Sequence, residues 1–195
     1  GAHKFAFVRP VHWLIVLYGK DIIDCEILGS RSGNTTRGHR FHSPEAFVVD
    51  CPDSYENQLE QNKVIACFSK RQALVRDKVM AICQNTEGQP LLDSGLLEEV
   101  TGLVEWPVPL IGKFEPEFLE VPQEALISAM QEHQKYFPLL THTGTLAPLF
   151  VTAADNTPNE TIKKGNQHVL SARLSDGAFL YEEDLKTSLD DFAKK

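Results

Sequence analysis

Apolar positions along this chain change their period several times, and each change predicts an element. Trp13 to Tyr18 is rich in branched and aromatic residues, Gly19-Lys20-Asp21 carries a turn signal, and Ile22 to Leu28 resumes the apolar pattern. A hairpin is the expectation. Phe47 to Val49 reads as a short strand, and Asp53 to Asn62 as a polar helix opened by Pro52. Ser69 followed three residues on by Gln72 has the form of a capping box, so Ser69 to Gln84 is predicted to be a helix. Val75, Val79, Ile82 and Cys83 form its apolar face, and Lys70, Arg71, Arg76 and Lys78 a solvated one. Asn85 to Pro90 is a turn-rich break. Asp93 or Ser94 then caps a helix whose Leu96, Leu97, Val100, Leu103 and Val104 make a core stripe.

The stretch from Val104 to Pro138 organises the rest. Trp106 to Ile111 is apolar but carries Pro107 and Pro109, which lack amide donors, so it is an edge-strand candidate. Pro122 suits a first helical residue and Glu124 complements the helix dipole. Leu126, Ala129, Met130 and His133 recur at three and four residues and are expected on one face. Tyr136 to Leu140 and Leu149 to Ala153 read as strands joined by a Thr141 to Pro148 turn with Gly144 at its tip. From Glu160 onward helical periodicity returns with interruptions, anchored by Leu170, Leu174, Phe179 and Leu185, while Glu182-Glu183-Asp184 lies outward. Strands and helices together predict an α+β or α/β fold, a mixed sheet with packed helices.

Composition narrows this. With 195 residues and 42% hydrophobic content the chain can close a core as one compact region over 4–186, any division into two lobes falling near 85–95. Residues 1–3 are expected to be an expression remnant, and 187–195 to begin a linker or helix. The longest apolar run, Val11 to Tyr18, is strand-sized, so no membrane span is expected. Cys25, Cys51, Cys67 and Cys83 are widely spaced without a C-x-x-C, which fits reduced cytosolic thiols.

Charge changes the picture further. The net charge is −8, yet residues 1–42 carry six Lys or Arg against three Asp or Glu, and residues 63–84 five against one. Residues 85–124 carry one against nine. An overall acidic chain can thus present a local basic patch. The densest cationic stretch follows GSRSGNTTRG at Gly29 to Gly38, whose composition predicts a loop able to approach a ligand closely. Arg31, Arg37, His39 and Arg40 are the candidates for contact with a polyanion. Internal carboxylate partners for these guanidiniums would remove the assignment.

Local catalytic motifs are lacking: no phosphate loop, no strand-linked G-x-G-x-x-G, no H-E-x-x-H and no G-x-S-x-G occurs. His39 and His42 are three apart and were they to share a metal with His12 a further ligand would be needed, so no metal is expected. Glu105 beside Trp106 invites a general-acid reading, against the commoner fate of a helix-end carboxylate.

Five longer motifs are specific in combination: FVRPVHW at Phe7 to Trp13, EILGSRSGNTTRGHRF at Glu26 to Phe41, LLEEVTGLVEWP at Leu96 to Pro107, FLEVPQEALISAMQEHQKYFP at Phe118 to Pro138, and GNQHVLSARLSDGAFLYEEDLK at Gly165 to Lys186. In that order they closely resemble the N-terminal part of the β subunit of the bacterial two-subunit glycyl-tRNA synthetase. Ser171-Ala172 stands where that family has Arg-Pro, and Gly177 where it has alanine. Arg9, His12, Arg37, His39, Arg40, Glu105, Gln134, Lys135 and Arg173 match in type. The resemblance implies a cytoplasmic enzyme of α2β2 type that joins glycine to its tRNA with ATP and Mg²⁺. Glycine activation is implied on the α subunit, with no cofactor and no catalytic residue in this region, and HD-type and anticodon-binding domains are implied beyond Lys195.

Three roles follow for this region. It binds glycine tRNA and supports assembly with the α subunit; or it is a hydrolytic proofreading domain similar to the editing-type domain of the phenylalanyl-tRNA synthetase β chain, with Glu105, Gln134, Lys135 and Arg173 lining a pocket; or it is purely structural. Glycine is the smallest amino acid, so a tight site excludes larger ones by steric clash and the need for a second sieve is weak. RNA binding with assembly is therefore the expectation.

Overall fold

The computed structural model describes residues 11–157, 159–188 and 191. The expected remnant at 1–3 and most of the expected linker at 187–195 lie outside the described residues. The chain divides between Phe68 and Ser69 into two compact units, not near 85–95 and not as a single region.

The first unit is built from short strands. They are β1 Leu14–Ile15, β2 Leu17–Tyr18, β3 Asp21–Ile22, β4 Glu26–Ile27, β5 Ser30–Gly33, β6 Thr35–Arg37 and β7 Ala46–Val48, followed by a 3-10 turn at Pro52–Ser54 and α1 Tyr55–Gln61. The expected hairpin is β2 paired with β3, with Tyr18 opposite Asp21. Gly19 at φ 60° supplies the positive φ that a two-residue connection needs. A second hairpin pairs β4 with β5, Ile27 opposite Ser30, through Leu28 at φ 53° and Gly29 at φ 78°. The predicted loop over Gly29 to Gly38 is therefore mostly strand, since β5 also pairs with β1 in parallel and β6 with β7 in antiparallel. Its small polar residues suggested a loop, but pairing on both sides satisfies their backbone groups, which composition does not reveal.

The second unit is a four-stranded sheet with helices on both faces. Its elements are α2 Phe68–Cys83, β8 Gly88–Pro90, α3 Ser94–Leu103, β9 Val108–Lys113, α4 Gln123–Ser128, β10 Phe137–Thr141, β11 Leu146–Ala154 and α5 Glu160–Asp184. The order β8-β10-β11-β9 is antiparallel throughout, so the sheet is not mixed; the parallel pair among the described strands is β1 with β5. β9 lies at an edge of the sheet, the position that tolerates Pro109, which has no N–H to donate to a second neighbour. Pro148 falls within β11, and the β10–β11 register shifts between Pro138 and Leu140, the kind of irregularity that admits a residue without an N–H.

Side chains alternate across this sheet with period two. Phe137, Leu139, Ala147 and Val151 face one layer with Val75, Val79, Cys83, Leu96, Leu97, Val100 and Val104 of α2, α3 and its C-cap. Tyr136, Leu146 and Phe150 face the other, with Phe114, Phe118, Leu126, Met130, Leu170 and Leu174. Both faces are covered, so β10 and β11 read as apolar runs.

Several boundaries differ from expectation for identifiable reasons. Ser69 lies inside α2, which begins at Phe68, and does not cap it. Asp93 caps α3 by accepting from the Leu96 amide at 2.9 Å. Pro122 is the N-cap of α4, with extended ψ, and not its first helical residue. After Ser128 the backbone widens into a π-helical segment over Ala129–Gln134, ending at Lys135 with φ 59°. The wider turn rotates successive side chains off the 3.6-residue face, which leaves Leu126 and Met130 buried and His133 exposed. Leu103, Phe179 and Leu185 are exposed and not core. α5 runs uninterrupted for 25 residues; Gly165 and Gly177 face open space, so they do not break it. Part of the predicted break before Pro90 is strand β8, where a Cβ on Gly88 would lie 2.9 Å from that of Leu139.

Candidate nucleic-acid interface

The cationic stretch of the first unit is held by a clasp around Gly38. A Cβ at Gly38 would lie 2.5 Å from the Asn62 carbonyl oxygen, so the backbone passes where only glycine fits. The His39 amide donates to that carbonyl at 2.9 Å, and the Ser43 hydroxyl donates to Asn62 Oδ1 at 2.7 Å. The turn between β6 and β7 is thereby pinned to the end of α1.

The four residues predicted to meet a polyanion have different fates: Arg31 lies in β5, Arg37 ends β6, and His39 and Arg40 sit on the turn that follows. Arg31 forms a two-pronged pair with Asp24, both contacts at 2.8 Å. That pair depresses the Asp24 carboxyl and raises the Arg31 guanidinium, so this charge is answered within the unit. His39 is 1% exposed, and its Nδ1 accepts from the Phe41 and His42 amides at 3.2 and 3.3 Å. It braces the turn from inside instead of presenting its ring at the surface. Arg37 is exposed and donates from Nη1 to the Pro44 carbonyl at 2.9 Å, which orients the guanidinium without neutralising it. Arg40 is exposed as well. Among the described residues neither Arg37 nor Arg40 has a carboxylate within ion-pair distance.

The residues predicted to line a pocket in the second unit are not linked. Lys135 Nζ lies 2.9 Å from Glu99 on α3. The Glu105 and Trp106 amides both donate to Asp155 Oδ1, at 2.7 and 2.8 Å, so Glu105 sits in a backbone clamp at the end of α3. Gln134 ends the π segment and Arg173 is exposed on α5. No hydrogen bond or ion pair among the described residues joins any two of these four. Two cations of the predicted solvated face of α2 are committed to the fold: Arg71 Nε donates to the Thr101 carbonyl at 2.9 Å and Lys78 Nζ to that of Pro107 at 2.8 Å.

A groove that sequence reasoning missed opens between the end of β9 and α5, with a volume of about 530 Å³. Lys113, Glu115, Lys164, Gln167, His168 and Ser171 line it. Lys164 and His168 are one helical turn apart, a spacing legible in the sequence, but their meeting with Lys113 requires the packing of α5 on the sheet edge.

The whole chain, residues 1–195, matches the family described as "Glycyl-tRNA synthetase beta subunit". It is similar to the protein named "Glycine--tRNA ligase beta subunit" of Marinobacter nauticus, 49% identical over 98% of this chain and 28% of that one. The same-named proteins of Hahella chejuensis and Pseudomonas aeruginosa are 48% and 43% identical, over 97% and 100% of this chain and 28% and 29% of theirs. The chain thus spans little more than a quarter of the length of these relatives.

Proposed function

We propose, on the premise that this chain belongs to the glycyl-tRNA synthetase β subunit family, that it is the region of a glycine--tRNA ligase that positions tRNA and supports assembly with the α subunit. The ligase attaches glycine to its tRNA using ATP and Mg²⁺, in an α2β2-type cytoplasmic assembly, with glycine activation on the α subunit. The observation that carries the RNA reading is the pinned turn that holds Arg37 and Arg40 outward without carboxylate partners, in a chain whose net charge is −8. A fixed turn bearing uncompensated guanidiniums suits backbone phosphates, which supply sequence-independent affinity and register.

The pairing of Arg31 with Asp24 and the burial of His39 reduce the contact set to Arg37 and Arg40. Titration of the chain with glycine tRNA at two salt concentrations tests this. Arg37→Ala with Arg40→Ala is expected to weaken binding and to lower the magnitude of the log–log salt slope by about 1.4 to 1.8, two phosphates' worth. Unchanged affinity and slope reject the turn as the contact.

A further inference from the structure

The groove between β9 and α5 carries cations that the fold does not use. Residues 85–124 contain a single basic side chain against nine acidic ones, and that side chain, Lys113, lines this groove. Lys164 and His168 reach it from consecutive turns of α5. Among the described residues neither Lys113 nor Lys164 has a carboxylate within ion-pair distance. The one carboxylate among the described residues that line the groove, Glu115, accepts a 2.6 Å hydrogen bond from the Ser171 hydroxyl, and that bond holds its carboxyl below the usual range. Glu115 is thus tied to α5 and not to either lysine.

The walls of the groove are fixed. Gln167 Nε2 donates to the Lys113 carbonyl at 3.0 Å, so α5 closes the sheet edge at the residue whose side chain carries the charge. Leu170 and Leu174, on the adjacent face of the same helix, are fully buried and set its rotation. Arg173 does not belong to this cluster: nine residues beyond Lys164, at roughly 100° per residue, it falls on the opposite side of the helix.

We infer that this groove is a second phosphate-binding site, taking the backbone of an RNA strand, with Lys113 and Lys164 as the phosphate contacts and His168 and Gln167 as hydrogen-bond donors to the same strand. The inference rests on the RNA reading above and adds a site on the other unit. Lysine suits this task as a point charge that follows a phosphate without demanding a fixed bidentate geometry. Glu115 opposes an anion, and Ser171 restrains that carboxylate.

The test uses the 195-residue chain, a glycine tRNA transcript and anisotropy at 50 and 200 mM salt, comparing wild type, Lys113→Gln with Lys164→Gln, and Arg37→Ala with Arg40→Ala. The lysine pair is expected to weaken binding roughly three- to tenfold and to reduce the salt slope by about 1.4 to 1.8. Glu115→Gln is expected to tighten binding a fewfold. Mass-spectrometric acetylation of the wild-type chain reads the same site without any variant: saturating RNA is expected to protect Lys113 and Lys164. Unchanged affinity and slope in the lysine variant, or no protection, overturns the groove; if the arginine variant still loses affinity, the RNA reading survives alone. Absence of salt-dependent binding by the wild type ends both. Loss of α-subunit association by the lysine variant with tRNA affinity unchanged assigns the groove to a protein partner and overturns the inference.

Discussion

Lys78 Nζ stands 5.5 Å from the centroid of the Trp106 ring and donates to the Pro107 carbonyl at 2.8 Å. One side chain of α2 thereby ties down the proline-rich entry to the edge strand, and burial lowers its pKa below the usual lysine value. Lys78→Met keeps the apolar stem and loses both polar contacts. A loss of about 1 to 2 kcal/mol is expected, the sum of a cation–π contact and a charged hydrogen bond near the surface. Thermal unfolding should show a fall in Tm of several degrees. A Tm within one degree of wild type would mean that the contact carries no net stability.

Asp155 holds the same entry from the other side, through the amides of Glu105 and Trp106. Asp155→Ala leaves two donors without this acceptor and should cost about 2 kcal/mol; Asp155→Asn retains an acceptor oxygen and should cost about half as much. Urea unfolding of the two variants reads the difference. Equal losses would assign the effect to charge and not to the hydrogen bonds.

Gly112 in β9 lies over Phe150 of β11, where an added Cβ would come within 2.1 Å of Cζ. Phe150 is fully buried and stacked on Tyr136 at 4.7 Å between centroids, so the ring has nowhere to move. Gly112→Ala is expected to cost about 3 kcal/mol by overpacking. Gly177→Ala, which faces open space on α5, should instead gain about 1 kcal/mol from helix propensity. Similar stability of the two variants in denaturant would contradict this placement of Phe150.

Cys83 is 5% exposed, and burial pushes its thiol from the ordinary 9.0 up to about 11. At pH 8 its thiolate fraction is about 100-fold lower than that of an ordinary thiol, so Cys25, Cys51 and Cys67 should react with a thiol reagent well before it. A raised folded pKa gives stability that is full below the unfolded value near 9 and is lost as pH rises through about 11. Four equal labelling rates in the native chain would refute the burial.

Much of the second unit was legible because its signals are local. The Asp93 cap, the stripe through Leu96, Leu97 and Val100, Pro109 in the edge strand β9, and Gly144 at φ 81° in the hairpin tip each act over a few residues. The first unit was harder to read. Ser30 to Gly33 becomes a strand because β1 and β4 pair on either side of it, and no local pattern states that. The π segment before Lys135 was equally hidden, since the sequence carries the ordinary 3.6-residue spacing through it.

The sequence alone determined which family this chain belongs to, that an Asp93-capped helix is followed by a proline-bearing edge strand, and that its basic residues are concentrated despite a net charge of −8. Only the tertiary structure decided which cations are available. Arg31 is answered by Asp24, Lys78 is spent on Trp106 and Pro107, and Arg37, Arg40, Lys113 and Lys164 are left without carboxylate partners among the described residues. The reason is physical: residue type fixes a charge, but its electrostatic reach depends on the partner that folding places within a few ångströms.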